Sequence, residues 1–298
     1  MKYGVQRIVK FILGRDIAGR DLSVHADDTF IVSYPRSGNT WTRFLVANLL
    51  HPDEPANFAN IERLVPDSEA QSCKYFKSIP RPRVIKSHQY FDPRFKKVIY
   101  IVRDPRDVAL SYYDFQRKYR QIEDGYPLSK YVNDFVGGHL SSADWGTWGE
   151  NVGSWVATRQ KHPGFLLLRY EDMVVDTERE LAKIAVFMGL EPSRQLLANT
   201  IDLSSAERMR GLEKIQGSEW VSTKNKRSDI PFIRTASSGG WRNLLPPDAI
   251  AAIESAWGPL MTTLGYDLVS HDEAPNSSSR VVGPEEALQP SLRGNRIG

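Results

Sequence analysis

The stretch TFIVSYPRSGNTWTRFLV, residues 29–46, decides the fold. Its first part is rich in β-branched and aromatic residues, as in a buried strand, and apolar residues recur at helical spacing from Trp41 onward. Between these parts lies a loop that contains Arg36, Gly38 and hydroxyl side chains. Backbone N–H groups at the start of a helix, with an arginine beside them, suit an anion. The stretch therefore predicts an anion-binding strand-loop-helix unit; the alternative is a plain connection.

Three further apolar segments predict strands, because each is bounded by polar or proline residues. Since none alternates cleanly between apolar and polar residues, helices should cover both faces of the sheet. One intervening helix begins with Asp104 as its N-cap, and another with Thr177 in a capping box. The predicted fold class is α/β: a single domain with a central, mainly parallel sheet flanked by helices and a P-loop-like, phosphate-binding strand-loop-helix. The three segments are RVIKSH (83–88), KVIYIVR (97–103) and FLLLRY (165–170).

The composition excludes several classes of protein. Among 298 residues, 39 lysines and arginines stand against 36 aspartates and glutamates, and this small excess does not indicate nucleic-acid binding. Cys73 is the single cysteine, so no intrachain disulfide can form and nothing indicates an oxidising compartment. No segment approaches the roughly 18 apolar residues of a transmembrane helix. The composition predicts a cytoplasmic protein without a transmembrane segment.

The chain divides into three predicted parts: a helical N-terminal extension (1–28), the domain (29–268) and a tail (269–298). The tail is polar and rich in Pro, Gly and Ser, which predicts disorder because little apolar surface could offset the ordering entropy. In the extension, apolar residues share one helical face and basic residues lie elsewhere. That pattern predicts either packing on the domain or peripheral contact with a membrane surface. The apolar face consists of Val5, Ile8, Val9 and Ile12.

The loop YPRSGNTW, residues 34–41, is not a Walker A motif, because that motif has two glycines before its basic residue and here Arg36 precedes Gly38. It resembles instead the 5′-phosphosulfate loop of the sulfotransferases that use 3′-phosphoadenosine 5′-phosphosulfate (PAPS). The resemblance implies PAPS as co-substrate, transfer of its sulfuryl group to a hydroxyl or amine of a small-molecule acceptor, and no metal. It also implies that the donor is bound by Arg36, Ser37, Gly38, Asn39, Thr40 and Trp41.

The segment VIYIVRDPRDVALSYYDF, residues 98–115, resembles the family's 3′-phosphate segment, in which an arginine ends a strand and a serine follows eight residues later. Arg103 and Ser111 occupy those positions. The spacing has a physical reason, since an arginine at a strand end and a serine about two helical turns on can bind one phosphate from two sides. The alternative is that Arg103 pairs with Asp104 or Asp107 and that Ser111 is an ordinary helix residue.

The segment VIKSHQ, residues 84–89, resembles the family's strand end with a catalytic lysine and a general base, here Lys86 and His88. Sulfuryl transfer resembles phosphoryl transfer, an in-line displacement through a loose transition state. The resemblance implies that His88 accepts the proton of the attacking group. It implies that Arg36 and Lys86 stabilise the sulfuryl oxygens and the leaving nucleotide.

Two later segments extend the resemblance to about residue 266: RYED (169–172) and PFIRTASSGGWRNLL (231–245). They imply donor contacts from Tyr170, Arg234, Thr235 and Ala236. Thr235 and Ala236 replace a lysine and a glycine of the family pattern, and Ala206 stands where the family has an aromatic residue that stacks on adenine.

Two other functions stay open: a catalytically silent nucleotide-binding scaffold, and another P-loop phosphotransferase. The acceptor is also open, since a phenol, sugar, lipid, amine or peptide would suit these residues. No segment resembles the family's dimerisation motif, so the oligomeric state is not predicted.

Overall fold

The computed structural model of the protein describes residues 8–234 and 237–269. Several predictions concern residues outside this description: the disorder of the tail from residue 270 onward and the donor contacts of Thr235 and Ala236. Residues 1–7 of the extension also lie outside it.

The described strands form one four-stranded sheet in the order β2-β1-β3-β4, and every pair is parallel. The register places Thr29 opposite both Val84 and Lys97, and Val98 opposite Phe165. The prediction of a mainly parallel central sheet is confirmed, and each predicted segment contains one strand. The strands are β1 (Thr29–Ser33), β2 (Val84–Ser87), β3 (Lys97–Val102) and β4 (Phe165–Arg169).

Helices cover both faces of the sheet, as the lack of alternation predicted. Phe30 and Tyr100 belong to one buried apolar cluster, whereas their neighbours Ile31 and Ile99 belong to a second cluster on the opposite face. Both faces are therefore core. The helices are α1 (Asn39–Leu50), α2 (Ile61–Leu64), α3 (Cys73–Ser78), α4 (Pro105–Lys118), α5 (Leu128–Val136), α6 (Trp148–Arg159), α7 (Tyr170–Val175), α8 (Thr177–Met188), α9 (Arg194–Leu203), α10 (Ala206–Gln216), α11 (Trp241–Leu244) and α12 (Pro247–Thr263).

Two helix starts test the capping predictions. Asp104 caps α4 as predicted, because its side chain accepts a hydrogen bond from Arg106 N. The capping box at Thr177 is wrong. Asp176 is the N-cap of α8, and the Thr177 hydroxyl instead donates to the carbonyl of Met173 at 2.7 Å. Aspartate is as good an N-cap as threonine, and the preceding helix offers the hydroxyl an acceptor.

The N-terminal extension lies against the domain through its backbone, at Ala18 N to Gln71 O and Cys73 N to Asp16 O. Residues 8–12 are helical, and their apolar side chains face outward: Ile12 is 75% exposed. Packing of this apolar face on the domain, one of the two predicted alternatives, is therefore not found in residues 8–12. No helix among the described residues combines the length and the apolar character that crossing a bilayer requires.

Candidate active site

The predicted site residues follow the carboxyl ends of the strands. Because all four strands are parallel, these ends lie at one edge of the sheet, where ligands bind in open α/β folds. The loop with Arg36 follows β1, His88 follows β2, Arg103 follows β3, and Tyr170 follows β4. The sheet thus brings together residues from motifs that are far apart in sequence.

The loop after β1 requires glycine at position 38. Gly38 caps α1 with φ 99°, a left-handed conformation that other residues rarely adopt. A Cβ atom at this position would lie 2.6 Å from Cδ2 of Tyr170, so the tyrosine ring packs directly over the loop backbone. Gly38 therefore permits both the turn and the close approach of Tyr170.

Arg36 joins the first two motifs. Its Nε donates to Ser111 Oγ at 3.2 Å, and its carbonyl oxygen accepts a hydrogen bond from Arg103 Nη1 at 3.2 Å. Its guanidinium lies over the rings of Phe232 and Phe115, at 4.6 and 5.1 Å from their centroids. Burial, followed by the nearby charge of Arg103, lowers the pKa of Arg36 to about 10. Two cations held this close together attract an anion.

Arg103 also connects the phosphate motif with the aromatic residues. Its guanidinium stacks on the ring of Tyr170, 4.4 Å from the centroid, and Tyr170 contacts the edge of Trp41 with ring centroids 5.8 Å apart. Arg234 lies beside α4, where it forms an ion pair with Asp114 at 2.9 Å. The structure thus brings Arg234 to the helix that carries Ser111, but with its charge partly neutralised by a carboxylate.

The alternative partners proposed for Arg103 bind elsewhere in the described structure. The carboxylate of Asp104 binds Arg106, at 2.7 Å from its Nη2. Asp107 accepts backbone hydrogen bonds from Gly239 at 2.6 Å and Trp241 at 3.1 Å. The structure therefore shows neither of the ion pairs that the alternative required.

His88 is held in one tautomer at the end of β2. Its Nδ1 lies 2.7 Å from the carbonyl oxygen of Ser33. Because a carbonyl oxygen only accepts, Nδ1 carries the proton and Nε2 keeps its lone pair. Burial, followed by the charge of Lys86, lowers the pKa of His88 to about 3. The imidazole is therefore neutral at physiological pH and able to accept a proton.

Lys86 is buried and has two carboxylate partners that the sequence analysis missed. Its Nζ donates to Asp67 Oδ2 at 2.9 Å and to Glu69 Oε2 at 2.8 Å. Both carboxylates raise the pKa of Lys86 against the lowering effect of its burial, so the ammonium stays charged. No periodicity links the segment 66–69 to β2. The order of hydrophobic and polar residues in the sequence does not predict that Asp67 and Glu69 pair with Lys86.

The site contains buried donors that fit an anionic donor nucleotide. Ser37 Oγ and Arg103 Nε are buried, and within the described part of the chain neither has a hydrogen-bond partner. Buried polar groups are normally hydrogen-bonded, so unpartnered donors in an active site indicate a ligand with acceptor atoms. A phosphate or sulfonate group supplies such acceptors. Across residues 8–234 and 237–269, no cluster of three or more metal-ligating side chains is found.

Comparisons with known proteins agree with this geometry. The chain is 29% identical over 233 residues to sulfotransferase 1B1 of Canis lupus familiaris, an alignment that covers 73% of this chain and 77% of that protein. It is 29% identical over 240 residues to sulfotransferase 1E1 of Rattus norvegicus, covering 75% and 80%. Its fold is similar to that of mouse sulfotransferase SULT7A1 complexed with PAP, with a TM-score of 0.65, 22% identity and coverage of 82% and 87%.

A second solved structure, retinol dehydratase in complex with androsterone and the inactive cofactor PAP, has a TM-score of 0.67 at 20% identity and covers 84% of both chains. At such low identity these two structures show a shared fold. The family model of the sulfotransferase domain matches residues 26–265, which is most of the chain. The resemblance drawn from the motifs is thereby confirmed, and the chain belongs to the sulfotransferase family.

Proposed function

We propose that this sulfotransferase transfers the sulfuryl group of PAPS to a hydroxyl or amine of a small-molecule acceptor, with His88 as the general base. The observation that carries the proposal is the hydrogen bond from His88 Nδ1 to the carbonyl of Ser33, which leaves Nε2 with a lone pair. A base must be neutral and within reach of the proton that it accepts. The low pKa of His88 meets the first condition.

The donor nucleotide would occupy the edge of the sheet. Arg36 and the loop residues after it would bind the 5′-phosphosulfate through charge and backbone N–H groups. Arg103, Ser111 and Arg234 would bind the 3′-phosphate. Trp41, in edge contact with Tyr170, would supply the aromatic surface for adenine. Ser37 Oγ and Arg103 Nε, which have no hydrogen-bond partner among the described residues, support this arrangement.

The reaction would be a direct displacement at sulfur. The acceptor oxygen or nitrogen forms a bond to sulfur while the bond from sulfur to the phosphate oxygen breaks, and the electron pair leaves with 3′,5′-diphosphoadenosine. The acceptor's proton passes to Nε2 of His88. Arg36 and Lys86 would stabilise the charge on the sulfuryl oxygens and the leaving group. The ammonium of Lys86 has three hydrogen-bond donors. Two of them bind Asp67 and Glu69, and the third would donate to a sulfuryl oxygen.

Incubation with radiolabelled PAPS and a mixed panel of phenols, sugars, lipids, amines and peptides tests this proposal. Transfer of label to an acceptor, abolished in His88→Asn, is the expected result. Binding of 3′,5′-diphosphoadenosine without transfer to any acceptor would favour the silent scaffold. Transfer from radiolabelled ATP in place of PAPS would favour the phosphotransferase, although membership of the sulfotransferase family argues against it.

We also propose that the protein acts in the cytoplasm and that its N-terminal helical residues contact an anionic membrane surface. Ile8, Phe11 and Ile12 are each more than half exposed. Residues 1–15 contain four lysines and arginines and no acidic residue, so this part of the sequence carries a positive charge that complements anionic lipid. The single cysteine is consistent with a reducing compartment.

Sedimentation with vesicles tests the membrane contact. The protein should pellet with phosphatidylcholine vesicles that contain phosphatidylserine, and less with pure phosphatidylcholine. Phe11→Ser should release it, whereas Val186→Ser, at another exposed apolar position, on α8, should not. Equal pelleting of both variants with the wild type would contradict the proposal.

A further inference from the structure

The active-site triplet Lys86, Ser87 and His88 is flanked by an irregular segment that extends the edge of the sheet. Lys86 N donates to the carbonyl of Pro66 at 2.9 Å, and Ser68 N donates to the carbonyl of Lys86 at 3.0 Å. This pairing places Asp67 and Glu69 beside β2 although 17 to 19 residues separate them from the triplet. Backbone pairing therefore determines which side chains lie next to the proposed base.

The carboxylate of Glu69 binds every residue of the triplet. Its Oε2 accepts from Lys86 Nζ at 2.8 Å, and its Oε1 accepts from Ser87 Oγ at 2.9 Å and from His88 N at 2.7 Å. A carboxylate has enough lone pairs for all three bonds, and bonds to an ionised acceptor are about twice as strong as neutral ones. One side chain thus fixes the lysine ammonium and the backbone of the histidine together.

His88 has two further anchors, both from neutral groups. Asn151 Nδ2 donates to the His88 carbonyl at 2.9 Å, and Ser33 O accepts from the ring at 2.7 Å. Of the hydrogen bonds described for His88, the one to Glu69 is made by an ionised group, and it holds the backbone N–H directly. Loss of this anchor would let the backbone rotate and shift the ring relative to Ser33.

We propose that Glu69 is a positioning residue for sulfuryl transfer: it aligns His88 and Lys86 with the reacting groups without touching the substrate. The proposal rests on the proposed function, because it assigns Glu69 to the same site. A displacement of about 1 Å in a catalytic group can cost about 100-fold in rate. The charge of Lys86 and the hydrogen bonds to this carboxylate, which together outweigh its burial, lower the pKa of Glu69 to about 2, so it stays ionised in this role.

Asp67 provides the matched control. Its Oδ2 binds Lys86 at 2.9 Å, and its Oδ1 accepts from Glu69 N at 2.8 Å. It shares the lysine with Glu69 and also interacts with the Glu69 carboxyl group itself, but none of its described hydrogen bonds goes to Ser87 or His88. A variant of Asp67 therefore removes a partner of Lys86 while leaving the bonds from Glu69 to the other two residues in place.

The test compares Glu69→Gln with Asp67→Asn. An amide offers one oxygen and one NH2, so in Glu69→Gln a donor must face either the Lys86 ammonium or the His88 N–H, which are themselves donors. We expect kcat to fall by about 10- to 100-fold in Glu69→Gln, with the affinity for 3′,5′-diphosphoadenosine by calorimetry unchanged within about twofold. Asp67→Asn should lose several-fold less activity than Glu69→Gln. Equal losses in both variants would place the effect on Lys86 alone and overturn the proposal.

A spectroscopic measurement separates this inference from the proposed function. The ring nitrogen signals of labelled His88, recorded by NMR on the protein with 3′,5′-diphosphoadenosine bound, report its tautomer whether or not any acceptor is sulfated. Wild type should show a single tautomer with Nδ1 protonated, and Glu69→Gln a mixture. An unchanged His88 signal, or a parallel loss of nucleotide affinity and kcat, would refute the positioning role. If Glu69→Gln does not fold, Glu69→Asp, which keeps the charge but is one methylene shorter, is judged by the same criteria.

Discussion

The low pKa of His88 predicts a specific dependence of stability on pH. Burial, followed by the charge of Lys86, lowers this pKa from 6.5 to about 3, whereas the unfolded chain keeps the ordinary value. Below pH 6.5 the unfolded state therefore binds a proton that the folded state does not. By linkage, the free energy of unfolding falls as the pH is lowered from 6.5 towards 3. At pH 7 neither state is protonated, and His88 contributes nothing.

The expected magnitude follows from this difference. One pH unit is worth about 1.36 kcal/mol per proton, so the fall between pH 7 and pH 5 is at most about 2 kcal/mol. The His88 side chain is half-buried, and solvent screening reduces the effect, so we expect a decrease of about 1 kcal/mol. Other groups titrate in this range as well. The quantity to measure is therefore the difference between the wild type and His88→Asn.

Urea unfolding at several pH values between 7 and 5 measures this difference. Asparagine can donate to the carbonyl of Ser33 in place of Nδ1 but does not titrate, so His88→Asn isolates the proton. The wild type should lose about 1 kcal/mol more than the variant on going from pH 7 to pH 5. Parallel stability curves would show that His88 titrates normally in the folded state, and the argument for a neutral, shielded base would fail.

Three further predictions concern the proposed reaction. His88→Asn should lower kcat by roughly 100-fold or more, as loss of a general base does, with nucleotide affinity nearly unchanged in calorimetry; turnover within threefold of wild type would contradict the role. Arg103→Ala should weaken the binding of 3′,5′-diphosphoadenosine by about 1.5 to 3 kcal/mol, the contribution of a hydrogen bond to a charged group, and should leave the weak binding of 5′-AMP unchanged. Equal losses of affinity for both nucleotides would contradict a 3′-phosphate site. Ala206→Phe should raise nucleotide affinity several-fold, since stacking is worth about 1 kcal/mol, and an unchanged affinity would contradict an unfilled adenine face.

The sequence predicted those parts of the site that depend on local patterns. Arg36, Arg103 and Tyr170 each follow a strand that short apolar runs identify, and parallel topology then brings the strand ends together. The sequence analysis did not predict the contact between Arg36 and Ser111, which joins the strand-loop-helix units that begin with β1 and β3. The positions of Arg36, Arg103 and Tyr170 could be predicted because the hydrophobic pattern of each segment and the polar residues around it determine where the strand ends.

The carboxylates beside Lys86 could not be predicted in this way. Asp67 and Glu69 belong to a segment without strand or helix periodicity, and they reach Lys86 because the backbone of residues 66–68 pairs with β2. The error at the start of α8 has a related origin. Asp176 and Thr177 are both good N-caps, and the nearby carbonyl of Met173 decided between them. Where two neighbouring residues are equally good N-caps, tertiary contacts determine which one is used. The local sequence pattern carries no information about those contacts.

The charges of the site connect donor binding with the strength of the base. Burial is the largest cause of the low pKa of Arg36 and of His88, and neighbouring charges lower both values further: those of Arg103 and Arg234 for Arg36, and those of Lys86 and Arg36 for His88. These charges disfavour a further positive charge in the site, and an anionic donor would offset this part of each shift. Binding of the donor should therefore raise the pKa of His88 above its value of about 3. A base is most effective when its pKa lies near the working pH. Binding of the donor would therefore also make His88 a stronger base for the proton transfer.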